Sequence, residues 1–312
     1  MDNLTHSLVG AIIGQMGLKR KSGLAMPTLI IAANIPDIDA VAALLGGHEH
    51  LALRRGITHG PIAMLILPIV LWAAMLWFDG WQTRRGKRPE KRLPIHKGWL
   101  LALAYIGCFS HPLFDWFNSY GVRLLEPFSS QWFYGDTLFI IDIWIWAALC
   151  LGLWFSMRGE RAGRPDWTRI ARTASLVVLA YIVVNFAISA AAEKVTDNIL
   201  RARGVAGNRV VVANPVPVAF WQREMLWRNG TRYGDGHYSL LGGVSLNETS
   251  TRQDAAARAY AGNSLDDPDV RAFMFWSRMP IFLFEKDELV LTDQRFASSP
   301  VSDRFRVTIE GR

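Results

Sequence analysis

Long apolar runs separated by short polar loops fill the first two thirds of the chain, at residues 4–18, 24–45, 59–78, 98–117, 138–157 and 170–192. A helix needs about 20 apolar residues to cross a bilayer, so five of these runs are expected to span it. The first is too short and reads as a helix tucked against its neighbours, with Gly10 and Gly14 at the spacing that lets helices pack closely in lipid. Beyond residue 192 the pattern changes. Residues 209–213 (RVVVA) and the stretches flanking Asn229-Gly230 read as strands, the latter pair joined by a hairpin turn. Residues 269–278 read as a helix opening after acidic cap residues, and 280–285 with 288–293 as a second strand pair. The expected fold is a polytopic α-helical membrane bundle of about five spans plus a short N-terminal helix, residues 1–191, followed by a soluble α+β domain, residues 192–312.

Charge sharpens this division. Residues 1–191 hold 18 Lys and Arg against 12 Asp and Glu, together with ten of the 13 Trp, whereas the remainder holds 16 against 15. Three loops, at 19–21, 84–97 and 158–172, carry 15 of those 18 basic residues, and the positive-inside rule places them in the cytoplasm. Alternation then puts the 46–58 loop, the 118–137 loop and the C-terminal domain on the outer, periplasmic face of a bacterial inner membrane. The excess of positive charge is thereby accounted for, and nucleic acid is not an expected partner. Cys108 and Cys150 both lie in apolar runs and read as core residues rather than a disulfide. The opening MDNLTHSLVG has no basic stretch before its apolar run, unlike a cleaved signal peptide.

Ionisable groups inside apolar spans cost about 2.5–3.5 kcal/mol each near the helix centre, so something must offset that cost. His111 and Asp115 stand four apart in SHPLFDWFN, on one face of a helix. Counting about 1.5 Å per residue from the cytoplasmic ends places His6, Asp37, Asp39, His111 and Asp142 at roughly 20 Å, with Asp115 a little higher. His59 opens its span at the outer surface. In ANIPDID, Pro36 is expected to break the span, and a broken membrane helix is tolerated where it lines a cavity. Its two acids suit a cation, or alternatively pair with Arg54 or Arg55. Arg55, in RGITHG, can hold a phosphate or carboxylate with its fork, or pair with Glu49. Asp142 can ligate or support His111 or His6. His48 and His50 read as loop residues or ligands of a second ion. Two His with two or three carboxylates form the N/O donor set of zinc, with manganese or iron also compatible and one or two ions accommodated.

At these residues the sequence resembles the YdjM family of membrane-bound, metal-dependent hydrolases, through THSLVG at 5–10, NIPDID at 34–39, RGITHG at 55–60 and SHPLFDWFNSYG at 110–121. NPVPVAFWQ from Asn214 and YSLL from Tyr238 extend the likeness into the tail. The resemblance implies that His6, Asp37, Asp39, His59, His111 and Asp115 hold metal, with Asn34, Arg55, Thr58 and Asn118 in support. A more distant similarity to zinc-dependent phospholipase C, with its all-helical His/Asp clusters, points to phosphate-ester cleavage.

The expected activity is metal-assisted hydrolysis by an activated water, with Asp39, Asp115 and Arg55 as the catalytic residues and Arg55 reading a phosphate. A site at headgroup level suits a lipid substrate. Two other readings compete: a scaffold with a structural metal or buried ion-pair cluster and a partner-binding outer domain, and an ion transporter using the broken helix. The sequence leaves the substrate and the oligomeric state open.

Overall fold

The computed structural model describes residues 1–247, 249–285, 288–297 and 302–309, and in it the ends of the helices are set by identifiable residues. Helix α1 (Asn3–Gln15) starts at Asp2, whose carboxylate accepts from the amides of Leu4 and Thr5 at 3.0 Å each. Helix α2 (Ala25–Ala32) stops short of Pro36. A continuing helix would need an N–H at position 36 to satisfy the Ala32 carbonyl, and proline has none. The chain resumes as a 3-10 stretch, Ile35–Leu45, bent by 45° from α2. After the short α3 (Glu49–Leu53) come α4 (Pro61–Arg84), α5 (Lys97–Trp116), α6 (Ile143–Arg161) and the long α7 (Trp167–Ala202). Asp142 caps α6 by accepting from Trp144 and Ile145 N–H at 3.0 Å.

Among the described residues, two helices are long and apolar enough to cross a membrane, α4 and α7, or three crossings if α2 and the bent stretch after it count as one broken span. Five spans are therefore not supported. The runs that fall short do so for a physical reason: α5 carries Ser110, His111 and Asp115 near its C-terminal end, and α6 finishes on Arg158, Glu160 and Arg161. Broad apolar faces are nevertheless exposed on α4 (Leu65, Ile66, Ile69) and α7 (Leu176, Val177, Leu179), as a lipid-facing surface requires. Cys108 is buried as expected, but Cys150 is exposed on the outside of α6.

The chain forms two compact units: Met1–Ile38 with Arg55–Val184, and Asp39–Arg54 with Asn185–Arg312. The expected division at residue 191 falls inside α7, and a stretch between two helical segments belongs with the tail. In the first unit, α1, α2 and α5 pack at backbone distance. A Cβ at Gly10 would lie 2.6 Å from the Leu29 carbonyl oxygen, and one at Gly107 would lie 2.6 Å from Ala32 Cβ and 2.8 Å from the same Leu29 oxygen. Glycine at these two positions is what lets His6 and His111 meet. Val9 and Ile12 then pack with Ile145 and Leu149, and Ala32 and Ala104 with Met64 and Leu71.

The second unit is strand-rich. Strands β1 (Val210–Pro215), β2 (Gln222–Asn229), β3 (Arg232–Ser239) and β4 (Gly243–Leu246) form an antiparallel sheet in that order, with the short β5 (Ser250–Thr251) also on β3. A hairpin joins β2 and β3 as the sequence leads one to expect, but its loop lies one residue further on: Asn229 pairs with Arg232, and the two loop residues are Gly230, at φ +57°, and Thr231. Helices α8 (Asp254–Ala261) and α9 (Pro268–Trp276) precede a three-stranded sheet of β6 (Pro280–Glu285), β7 (Glu288–Asp293) and β8 (Arg306–Ile309). The Asp39–Arg54 stretch joins this unit through α3, which packs on α9, and through His48, whose N–H donates to Asp269 Oδ1 at 2.6 Å.

Candidate metal centre

The break at Pro36 creates the first feature of the site. In a continuing helix the Ala33 carbonyl would bond the Asp37 N–H, but that N–H turns to Asn34 O at 3.1 Å. The freed Ala33 oxygen lies 2.7 Å from His111 Nδ1. A carbonyl only accepts, so Nδ1 carries the proton and the lone pair is on Nε2, which faces inward. His59 is arranged alike: Thr58 Oγ1 lies 2.9 Å from its Nδ1, a place where the hydroxyl can accept, and its Nε2 also points inward.

Around these two nitrogens gather two carboxylates. His111 Nε2 lies 3.1 Å from His59 Nε2, 3.5 Å from Asp115 Oδ2 and 3.7 Å from Asp37 Oδ1, and His59 Nε2 lies 3.3 Å from Asp115 Oδ2. One ligand atom from each of Asp37, His59, His111 and Asp115 falls within 4.8 Å of the others, and all four residues are buried. The spacing can be compared with a known geometry. Bonds of about 2.0–2.1 Å at tetrahedral angles put zinc's N and O ligands roughly 3.3 Å apart, close to most of these separations. The donor chemistry fits as well, because two imidazole lone pairs 3.1 Å apart repel unless a proton or a cation sits between them. This buried Asp/His/His/Asp group can hold a metal ion.

His6 completes one wall. Its ring stacks on His111 with centroids 3.8 Å apart, and its Nε2 is 3.3 Å from Asp115 Oδ1. Neither ring nitrogen has a hydrogen bond of good geometry, although the residue is 1% exposed. A buried imidazole in that condition has lone-pair capacity to spare for a ligand. The Met1 amino group donates to Asp115 Oδ1. Next to His6, the Thr5 hydroxyl is held by Asp2 and by Trp146 Nε1 at 2.6 and 2.9 Å.

Arg55 has a different setting from the one expected of a surface phosphate reader. It is 3% exposed, with its Nε 3.0 Å from Asp115 Oδ2, its Nη1 donating to Asn118 Oδ1 at 3.0 Å, and its guanidinium over the Tyr120 ring at 4.6 Å. Asn118 also accepts from Tyr120 N–H at 2.8 Å, so it fixes both the arginine and the turn after α5. Asn34 donates to Ser7 Oγ at 3.1 Å and to Ile30 O at 2.8 Å, bracing the end of α2 against α1.

Two expected residues have other surroundings. Asp142 is the α6 cap and accepts from Tyr181 Oη at 3.0 Å. Asp39 belongs to the second compact unit, where its Oδ1 is 3.9 Å from Arg54 Nε. His48 and His50 are likewise occupied there, by Asp269 and by the Gly47 carbonyl at 3.1 Å. Sequence reasoning missed the Ala33 carbonyl and the Tyr120 ring. Pro36 was the available signal for the first; an aromatic beside an arginine two loops away leaves none for the second.

A family model described as YdjM inner membrane protein matches residues 1–192, a stretch that holds every residue of the cluster. No curated protein and no solved structure matches the chain. With more than half of its length covered by that model, the chain belongs to the YdjM inner membrane protein family.

Proposed function

We propose that the protein is a multi-pass, membrane-bound, metal-dependent hydrolase acting on a phosphate ester, on a lipid or lipid-linked substrate, at the periplasmic side. The observation that carries this reading is the set of four inward-facing donors of Asp37, His59, His111 and Asp115 within 4.8 Å, buried in a membrane protein. A divalent cation held there, zinc first, would supply Lewis acidity and a water of lowered pKa as nucleophile. The remaining work belongs to the chain. Ala33 O fixes the tautomer of His111, and Thr58 Oγ1 orients the ring of His59. Arg55 holds Asp115 Oδ2 in place, which makes it a positioning residue in this reading. His6, with its Nε2 3.3 Å from Asp115 Oδ1, is the further nitrogen donor beside the four. Phosphate as the scissile group rests on the phospholipase C resemblance, and lipid as its carrier on the setting in an inner membrane family.

The test is metal content of the detergent-purified protein by mass spectrometry, with hydrolysis of a panel of lipid phosphate esters alongside. One or two equivalents of zinc or manganese are expected in the wild type and none in folded His111→Ala or Asp37→Ala. A folded wild type that takes up no metal even after reconstitution would sink the proposal.

The contact of Arg55 with Asp115 favours a second reading, a structural ion-pair cluster without turnover. Removing one member of a buried pair costs about 3–5 kcal/mol. In that case Arg55→Met would unfold the protein whether or not zinc is supplied, whereas added zinc restores stability if a metal shares Asp115.

A further inference from the structure

The strand-rich unit grows alongside the outer part of α7, and the contacts run in order. Arg223, at the start of β2, is fully buried and donates to Ser189 Oγ at 2.8 Å and to Asn185 O and Oδ1 at 3.0 Å each. Further along β2, Met225 packs with Ile188 and Ala192, and Trp227 with Leu200. The far end of the strand, Asn229, donates to Ala206 O, past the end of α7. The β2–β3 ribbon is thus aligned with the helix, about 25 Å from end to end.

That alignment fixes the depth of the ribbon's lower end. The apolar run of α7 ends near Ala192, and Asn185 and Ser189 lie about 10 and about 5 Å short of it along the helix. Arg223 is therefore at the level of the membrane boundary, and the loops that continue beyond it lie at the same level or deeper. These are residues 216–221 (VPVAFW) and 239–243 (SLLGG), joined by Leu240 N–H donating to Trp221 O at 3.2 Å. Neither loop contains a charged residue, whereas the opposite end of the ribbon reads RNGTR. At the lower end Leu241 is fully exposed, and Val218, Trp221 and Leu240 are 53%, 41% and 50% exposed.

We propose that these two loops form a second membrane-contact surface, with Val218, Trp221, Leu240 and Leu241 inserted among the lipids of the outer leaflet beside α7. The occupant is lipid because the patch continues, without a charge, from the exposed apolar side of a membrane-crossing helix, where Phe186 is 52% exposed. Trp221 is the residue type suited to a boundary with one apolar and one wet side. The proposal rests on the chain being a membrane protein and is independent of the metal and of any hydrolysis.

Site-directed spin labelling tests it. Leu241→Cys, Val218→Cys and Thr231→Cys are made separately in a Cys150→Ala background, labelled with a nitroxide and reconstituted into vesicles of phosphatidylethanolamine and phosphatidylglycerol. Collision with oxygen, which partitions into lipid, is compared with collision with a water-soluble nickel chelate. Oxygen should dominate at 241 and 218, and the ratio should invert at 231 on the polar turn. Nickel dominating at 241 and 218 would put the tip in water and overturn the proposal. Protection from both reagents would overturn it too, since the patch would then be covered by protein, such as a second copy.

Discussion

At the scale of single residues, the site depends on groups that orient its donors as much as on the donors themselves. Thr58 is the clearest case, since its hydroxyl is the partner of His59 Nδ1 at 2.9 Å. Outer partners of this kind are worth about 10–100-fold in metal affinity. Thr58→Val should therefore weaken zinc binding by that factor while leaving the fold intact, as read by titration against a chelating indicator. A second residue-level expectation concerns the strand-rich unit. Burial by itself would raise the pKa of Asp293, but Arg295, with Nε and Nη2 each 2.8 Å from its oxygens, and hydrogen bonds from Ser277 and the Met279 N–H bring it down to about 2. A carboxylate depressed from 3.8 contributes stability that is fully present above that pH and lost as pH falls toward 2, about 2 kcal/mol in all. The stability gap between wild type and Asp293→Asn should accordingly narrow between pH 4 and pH 2 in denaturant titrations, and a gap that is flat with pH would remove Asp293 from the acid response.

At the scale of elements, the approach of α5 to α2 is the step on which the site most depends. Val at position 107 would drive a Cβ into Ala32 and the Leu29 carbonyl, and overpacking of this sort costs about 1–3 kcal/mol. Gly107→Val should lower the melting temperature in detergent and reduce zinc content together; normal zinc content in the variant would mean that this helix contact does not position His111. Much of this level was legible beforehand. The helix break at Pro36, the shared face of His111 and Asp115 and the presence of a hairpin at Gly230, though not its loop register, each follow from a local rule about donors, periodicity or φ. The strands β4, β5 and β8 and helix α8 were not legible, because short segments of mixed polarity are decided by what they pack against. The count of spans failed for a related reason: the polar residues that build the site lower the apolar character of α5, which carries His111 and Asp115.

At the scale of the whole molecule, sequence patterning separated an apolar helical region from a strand-rich tail, but it could not foresee that residues 39–54 would fold with the tail. Nothing in the composition of DAVAALLGGHEHLALR marks it as part of the strand-rich unit; the assignment comes from the packing of α3 on α9 and from Asp269 holding the His48 amide. This has a practical consequence for anyone dissecting the protein. The boundary of the family match at residue 192 looks like a natural place to cut, yet a chain ending there would lack α9 and leave residues 39–54 without their packing. Loops stripped of such packing are preferred targets of proteases. Limited trypsinolysis of a chain truncated after residue 192 should nick at Arg54 or Arg55 where the full-length protein resists, and the nick would separate Asp37 from His59. The family segment, though continuous in sequence, is then not a piece that can be excised with its candidate metal centre intact.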